Sequence, residues 1–504
     1  MKYKLMGAAC ILAMSVVTVL GVAIQIEGEK EERYHQHTER QGYTACTDHG
    51  EDTFCTHLPL IEIDTGGEEI PGKPSGEQDI FNESIYTTSE NGEEMINATV
   101  SVFDSENSNN YLTDTPTMTV TSKIRVRGHM SRSFEKAPYL LNLINEDGTN
   151  LDLAMLGMGA HHEWVLNGPY LDKSLIRNYM WYNIAGEIMD YAPNVRFCEL
   201  IINGDYRGIY LLAESVSTGE DCRLDLTVTE KGQTITGYLL RIDRPKEEEL
   251  DAVRNIYSFT ERTNILANDI SIRYPGKNKL TQEMAEEIEK DFARFEKAMY
   301  SYDYDSEKYG YRKYIDVDSY VDYYIINEFS KNLDAGNYST YIYLRPGDKY
   351  KLCVWDFNNA CNNYPTNDVN TVGIKDTNGI TGFTMHSKLF FDMLLRDKDF
   401  VSAVIKRYEE LRKTYLSDAY LEAYIRDTVE YLGPAIGRDS ERWAEYIASN
   451  QLVPAERNVH SQEEAVLRLT DWLKDRGQWL DDNINTLYQY SADSKNKKYN
   501  EEPN

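Results

Sequence analysis

Met118-Thr119-Val120-Thr121-Ser122-Lys123-Ile124-Arg125-Val126-Arg127-Gly128 alternates apolar and polar side chains and stops at a glycine. That is the period of a strand with one buried face, running into a turn. Leu60 to Thr65, Ala98 to Phe103 and Tyr139 to Ile144 alternate in the same way, so residues 58–145 read as β-rich, with loops near 84–94 and 105–110. Lys173 to Met189 changes period: Leu175, Ile176, Met180, Ile184 and Ile188 lie on one helical face. Arg196 to Ile202 and Gly208 to Glu214 flank Asn203-Gly204-Asp205, a hairpin signal. Further on, the pattern predicts a strand at 237–243, helices at 281–301 and 317–331, and two strands, 339–344 and 350–355, joined at Pro346-Gly347. From 387 to 487 it is helical, with breaks at Gly433-Pro434 and Val453-Pro454. The order is β-rich (58–145), mixed (146–386), then helical (387–487). This is an α+β chain and not a doubly wound sheet.

The 504 residues carry 53 Lys+Arg against 83 Asp+Glu, a formal charge of −30. Phosphate backbones would be repelled over most of the surface, which argues against a nucleic-acid partner and leaves basic peptides and metal ions. Residues 1–26 read as a signal. Lys2 and Lys4 precede an uncharged stretch, Leu5 to Ile24, and Glu27, Glu29, Glu31 and Glu32 follow. At about 1.5 Å per residue such a helix crosses a bilayer core, with the remainder outside. An uncleaved membrane anchor is favoured over a cleaved signal peptide, in which case the protein is secreted. Either way the chain is extracytoplasmic. Residues 27–57 read as a polar stalk, and 488–504 as a polar tail. Export makes disulfides available to Cys46, Cys55, Cys198, Cys222, Cys353 and Cys361. Proximity in sequence favours Cys46 with Cys55, then Cys198 with Cys222 and Cys353 with Cys361. A zinc reading of Cys46, His49, Cys55 and His57 matches no common spacing.

Three clusters carry candidate chemistry. Arg125 to Lys136 holds Arg127, His129, Ser131, Arg132 and Lys136 in a small polar loop, an arrangement suited to polyphosphate or to an ordinary basic hairpin. Asn327 to Thr340 is an acidic and amide-rich loop containing Asp334, and Val354-Trp355-Asp356-Phe357-Asn358-Asn359 ends a strand in a carboxylate. If the intervening hairpin folds back, Asp334 and Asp356 meet at one end of the sheet. One could then position a hydroxyl while the other holds a divalent metal. Read singly, each aspartate reads better as a turn residue; it is their joint arrangement that brings the functional reading level. His161-His162 reads better as an exposed polar loop than as a metal site.

These blocks resemble the spore coat protein H (CotH) kinases, an atypical branch of the protein-kinase-like superfamily. Arg127-Gly128-His129-Met130-Ser131-Arg132-Ser133-Phe134-Glu135-Lys136 is similar to that family's R-G-N-x-S-R-x-F-x-K segment. Trp164 to Asn178, Asn203 to Glu214, Asn332-Leu333-Asp334 and Trp355-Asp356-Phe357-Asn358 follow in the family's order, covering about 58–487. The resemblance implies a two-lobed kinase-like fold, β-rich then helical, that uses ATP and Mg²⁺ or Mn²⁺ to phosphorylate serine in proteins. It implies Asp334 as catalytic aspartate, Asp356 as metal ligand and Asn358 as a second one. Lys136 would bind phosphate, with Arg127, Ser131 and Arg132 shaping the loop and Glu214 pairing with Lys136. The span from Asp172-Lys173 to Arg177-Asn178 would organise the site, or be only a helix cap. Two departures stand out: His129-Met130-Ser131, and Ala360-Cys361-Asn362-Asn363 where the family has A-F-G-N. The acidic chain favours serine in a basic context. The alternatives are adenylyl transfer by a kinase-like site and a pseudokinase acting as a surface scaffold.

Overall fold

The computed structural model describes residues 33–38, 54–78, 84–105, 108–219, 222–226, 234–244, 269–366 and 379–494. Residues 36–504 form one compact unit and residues 1–35 a separate one. The segment 5–24 read as an anchor, Cys46 and His49 lie outside the described residues. Among the described residues no helix is long and apolar enough to cross a membrane.

Seven strands close into a barrel: β1 (Leu60–Asp64), β2 (Ile96–Phe103), β3 (Met118–Val126), β4 (Tyr139–Leu143), β5 (Glu163–Asn167), β6 (Val195–Ile202) and β7 (Asp205–Glu214). Neighbours pair antiparallel except at the seam, where β6 runs parallel to β1 with Glu199 opposite Leu60. Alternation does the filling. Ile61, Ile63, Val100, Val102, Ile124, Val126, Leu141, Trp164, Leu200 and Leu212 point into one buried cluster. The β6–β7 hairpin turns through Asn203 and Gly204, both at positive φ (50° and 78°), as a tight primed turn requires. The barrel thus takes its last three strands from the stretch read as mixed.

The second layer is an antiparallel sheet of β8 (Tyr238–Asp243), β9 (Asp269–Tyr274), β10 (Thr340–Leu344) and β11 (Lys351–Cys353), in the order β9-β8-β10-β11. The main helices are α1 (Arg177–Ile188), α2 (Gln282–Met299), α3 (Val317–Phe329), α4 (Lys398–Leu411), α5 (Asp418–Leu432), α6 (Pro434–Arg442) and α7 (Gln462–Asn483); α1 and α6 pack on barrel strands β6 and β7, respectively, and α3 packs on β11. Asp316, Thr281, Ser417 and Ser461 cap their helices by accepting backbone N–H bonds. Gly433 ends α5 at φ 43°, and Pro434 opens α6. The molecule is α+β, as its sequence pattern predicts.

Several expectations are corrected. Residues 27–57 are not all stalk: Gln36 and His37 are buried. The Gln36 side chain bonds both the N–H and the carbonyl of Phe197 on β6. Cys55 is disulfide-bonded, but Cys198, Cys222, Cys353 and Cys361 are buried thiols. Cys198 faces the barrel interior, and Cys361 accepts from Trp181 Nε1 at 3.3 Å. Those side chains are used by packing, which proximity in sequence does not reveal. His57 bonds the Tyr431 carbonyl at 2.7 Å, so it and the bridged Cys55 do not form the zinc site that was weighed.

A buried ion pair fixes α7 to α3, the helix that packs against β11. Arg476 of α7 donates to Glu328 of α3 at 2.7 Å, and both are almost wholly buried. Arg476 also holds the carbonyls of Ile380 and Gly382, while Glu328 accepts from the N–H groups of Thr384 and Met385. Removing one partner strands the other charge. Arg476→Leu is therefore expected to cost about 3–5 kcal/mol in urea denaturation; a loss under about 1 kcal/mol would show the pair to be dispensable.

Candidate active site

β10 and β11 pair antiparallel with Tyr341 opposite Cys353. Asp334 lies in the loop before β10 and Asp356 just after β11, so the hairpin brings both carboxylates to one end, as its sequence pattern predicts. Asp356 sits at φ 59°, a left-handed conformation that aspartate tolerates better than most residues. Its carboxyl is held above the ordinary range, first by burial and next by the charge of Asp334, with Arg127 opposing. Two acids are therefore electrostatically joined, and a cation placed between them would relieve both penalties.

α1 builds the wall behind Asp356. Asp172 receives the Arg177 guanidinium at 2.5 Å and the backbone N–H of Arg177 at 2.8 Å. So fixed, Arg177 donates to the carbonyls of Ala360 and Cys361, both at 3.0 Å. Asn178 accepts from Phe357 N–H at 2.6 Å and donates to Asn358 Oδ1 at 2.9 Å. One turn on, the Tyr182 hydroxyl accepts from Asp356 N–H at 2.9 Å. The span from Asp172 to Asn178 is thus both a helix start and the support of the acidic loop. Asn362, where the resembled family has glycine, takes φ 64°, and Asn363 bonds the carbonyls of Asn358 and Leu171. Asparagine is the usual substitute for glycine in that region, so the departure keeps the turn.

Asp334 receives Asn359 Nδ2 at 3.0 Å, and Asp356 receives Asn358 N–H at 3.1 Å. Asn332 donates to the Asp356 carbonyl. Behind Asp334 the buried Lys388 ammonium donates to the carbonyls of Leu333 and Ala335. Burial pulls Lys388 down to about 8, with Asp334 and Glu328 opposing. Tyr182, Asn332, Asn359 and Lys388 were given no role from sequence, whereas Asn178 belongs to the span expected to organise the site. Asn178, Asn332 and Asn359 stand inside or beside the quoted motifs, which was the available signal. Tyr182 and Lys388 carried none, since a lone tyrosine or lysine marks nothing until the chain folds around it.

The basic loop is distributed differently from the expectation. Arg127 lies over the Trp355 ring at 5.5 Å and acts on Asp356. Arg132 donates to the carbonyls of Gly128 and Gly72 and covers the Tyr86 ring. Ser131 packs on Gly128, where a Cβ would collide with its hydroxyl. Lys136 is buried, pulled down by burial and held up by Asp439 of α6, its partner at 2.5 Å. Asp439 also accepts Ile209 N–H, which it reaches because Gly208, at φ 90°, has no side chain in the way. Glu214 does not pair with Lys136. It binds Arg223 at 2.6 Å and the Asn194 backbone at 2.9 Å, which corrects the expected lysine–glutamate pair.

Comparison with known families matches residues 124–480 to the CotH kinase protein family. The chain belongs to the CotH kinase family. No curated protein matches it. Membership points to a kinase-type activity, and the matched span contains both acids, the α1 wall and the basic loop.

The coupling of the two acids is directly measurable. By carboxyl-carbon NMR, Asp356 should titrate above its ordinary 3.8 and move down towards it in Asp334→Asn. A midpoint that ignores the Asp334 charge would refute the joined site.

Proposed function

We propose that this CotH-family chain is a two-lobed, extracytoplasmic protein kinase that transfers the γ-phosphate of ATP to serine or threonine in basic protein segments. The observation that carries the reading is the convergence of Asp334 and Asp356 at one end of the β10–β11 hairpin, with Arg127 facing Asp356. Among the described residues each carboxylate takes one hydrogen bond from the protein, which leaves an oxygen on each for a ligand. Asp356 offers a hard oxygen donor of the kind that Mg²⁺ or Mn²⁺ prefers, and Asn358 Oδ1 adds a second while it accepts from Asn178. A bound divalent ion would neutralise phosphate charge there.

In the proposed step Asp334 orients the substrate hydroxyl and takes its proton. The hydroxyl oxygen bonds to the γ-phosphorus as that phosphorus parts from the β–γ bridging oxygen, which leaves with ADP. Arg127 is the cation placed to meet phosphate. Arg132 and Ser131 hold the loop's shape, and Lys136 with Asp439 fastens the loop to α6. The disulfide at Cys55 supports an oxidising compartment. The charge of −30 supports a basic substrate, recognised more strongly at low salt.

The test is incorporation of γ-labelled ATP into a serine-containing basic peptide by wild type, Asp334→Asn and Asp356→Asn. Both variants should fall by about 10²-fold or more. Wild-type labelling by either would falsify its assignment, and label carried from α-labelled ATP would indicate adenylyl transfer instead. Peptide phosphorylation should also weaken as salt rises; an unchanged rate between low and high ionic strength counts against the basic substrate.

A further inference from the structure

The loop read as an exposed polar segment is built differently. His161 and His162 close the excursion between β4 and β5, and His161 is only 2% exposed. An antiparallel bridge pairs Leu153 with His161, which sets Asp152 opposite His162. His162 Nδ1 and Asp152 Oδ1 are 2.7 Å apart. Cys222, a buried thiol and not half of a disulfide, arrives from the segment after β7. Its sulfur is 4.0 Å from the same carboxylate oxygen. One ligand atom from each of His161, His162 and Cys222 lies within 4.8 Å of the others. Gly219 makes the convergence possible. A Cβ there would stand 2.8 Å from Cys222 Sγ and 3.1 Å from Asp152 Oδ2.

We propose that His161, His162 and Cys222 bind one Zn²⁺, with Asp152 orienting His162 and water completing the coordination. Two imidazoles and a thiolate form a borderline-soft donor set, which suits zinc and is wrong for Mg²⁺ or Mn²⁺. This site is therefore separate in chemistry, as well as in residues, from the acid pair. Asp152 on Nδ1 leaves Nε2 of His162 to coordinate, the usual carboxylate–histidine arrangement around a metal. His161 keeps two long contacts, 3.3 Å from Glu163 N and 3.4 Å to Ser217 Oγ, either of which it can exchange for a metal bond. Zinc bonds of about 2.0–2.3 Å hold ligand atoms roughly 3.3–3.8 Å apart, so the side chains close by about 1 Å on binding. The metal ties the β4–β5 excursion to the chain leaving β7. Glu214, which grips Arg223 beside Cys222, anchors the same segment.

The test uses the full chain. Metal analysis of protein purified without chelator should find about one zinc per chain. After chelator stripping, Co²⁺ should produce a thiolate-to-cobalt charge-transfer band that zinc abolishes and excess Mg²⁺ does not. Cys222→Ser should lose that band, while Asp152→Asn should keep it and bind zinc about 10–100-fold more weakly. A wild-type chain with no such band, or a band of equal strength in Cys222→Ser, overturns the proposal. The wild-type spectrum decides the matter even if the serine variant does not fold.

Discussion

The acid site depends on one buried ion pair. Asp172 fixes Arg177 by accepting from its guanidinium and its backbone N–H, and Arg177 then holds two carbonyls of the turn after Asp356. A guanidinium suits this place because its planar fork meets several acceptors at once, and a lysine would meet fewer. The cost of burying both charges is offset because nearly every donor finds an oxygen. Through α1 this pair connects the barrel, which delivers the chain to Asp172 after β5, with the sheet that carries the carboxylates.

Around that support, like charges are held together on purpose. Burial and then the Asp334 charge raise Asp356, Lys388 is buried behind the loop that carries Asp334, and amides fill the spaces between. A left-handed backbone at Asp356 aims its carboxylate, at a conformational cost the surrounding hydrogen bonds overcome. Such strain and repulsion persist only where the rest of the structure over-determines the geometry. Here α1 and the β10–β11 hairpin do so.

Much of the fold was legible because local signals were strong. The Asn203-Gly204 turn, the alternation in β3, the cap at Thr281 and the break at Gly433-Pro434 each follow from backbone preferences of a few residues. β9 was missed although Ile270 and Ile272 alternate with polar residues and Pro275-Gly276 follows as a turn signal; the run is only six residues long. The parallel seam between β1 and β6 was also invisible, since nothing in either strand names a partner so far along the chain. His161 was misjudged for a related reason: two histidines in a polar loop look solvated until the segment after β7 covers them.

Sequence by itself determined the α+β class, the order of the elements, and the acids that a short hairpin must bring together. It also carried the family, because those motifs are contiguous and their spacing is fixed by local geometry. Only the tertiary structure decided the pairings: Lys136 with Asp439, Glu214 with Arg223, four thiols left unbridged, and His161 and His162 beside Cys222. Charges, thiols and imidazoles act over a few ångströms, and which of them come within that range is set by the packing of distant segments. The chain's order alone does not encode that in any local pattern.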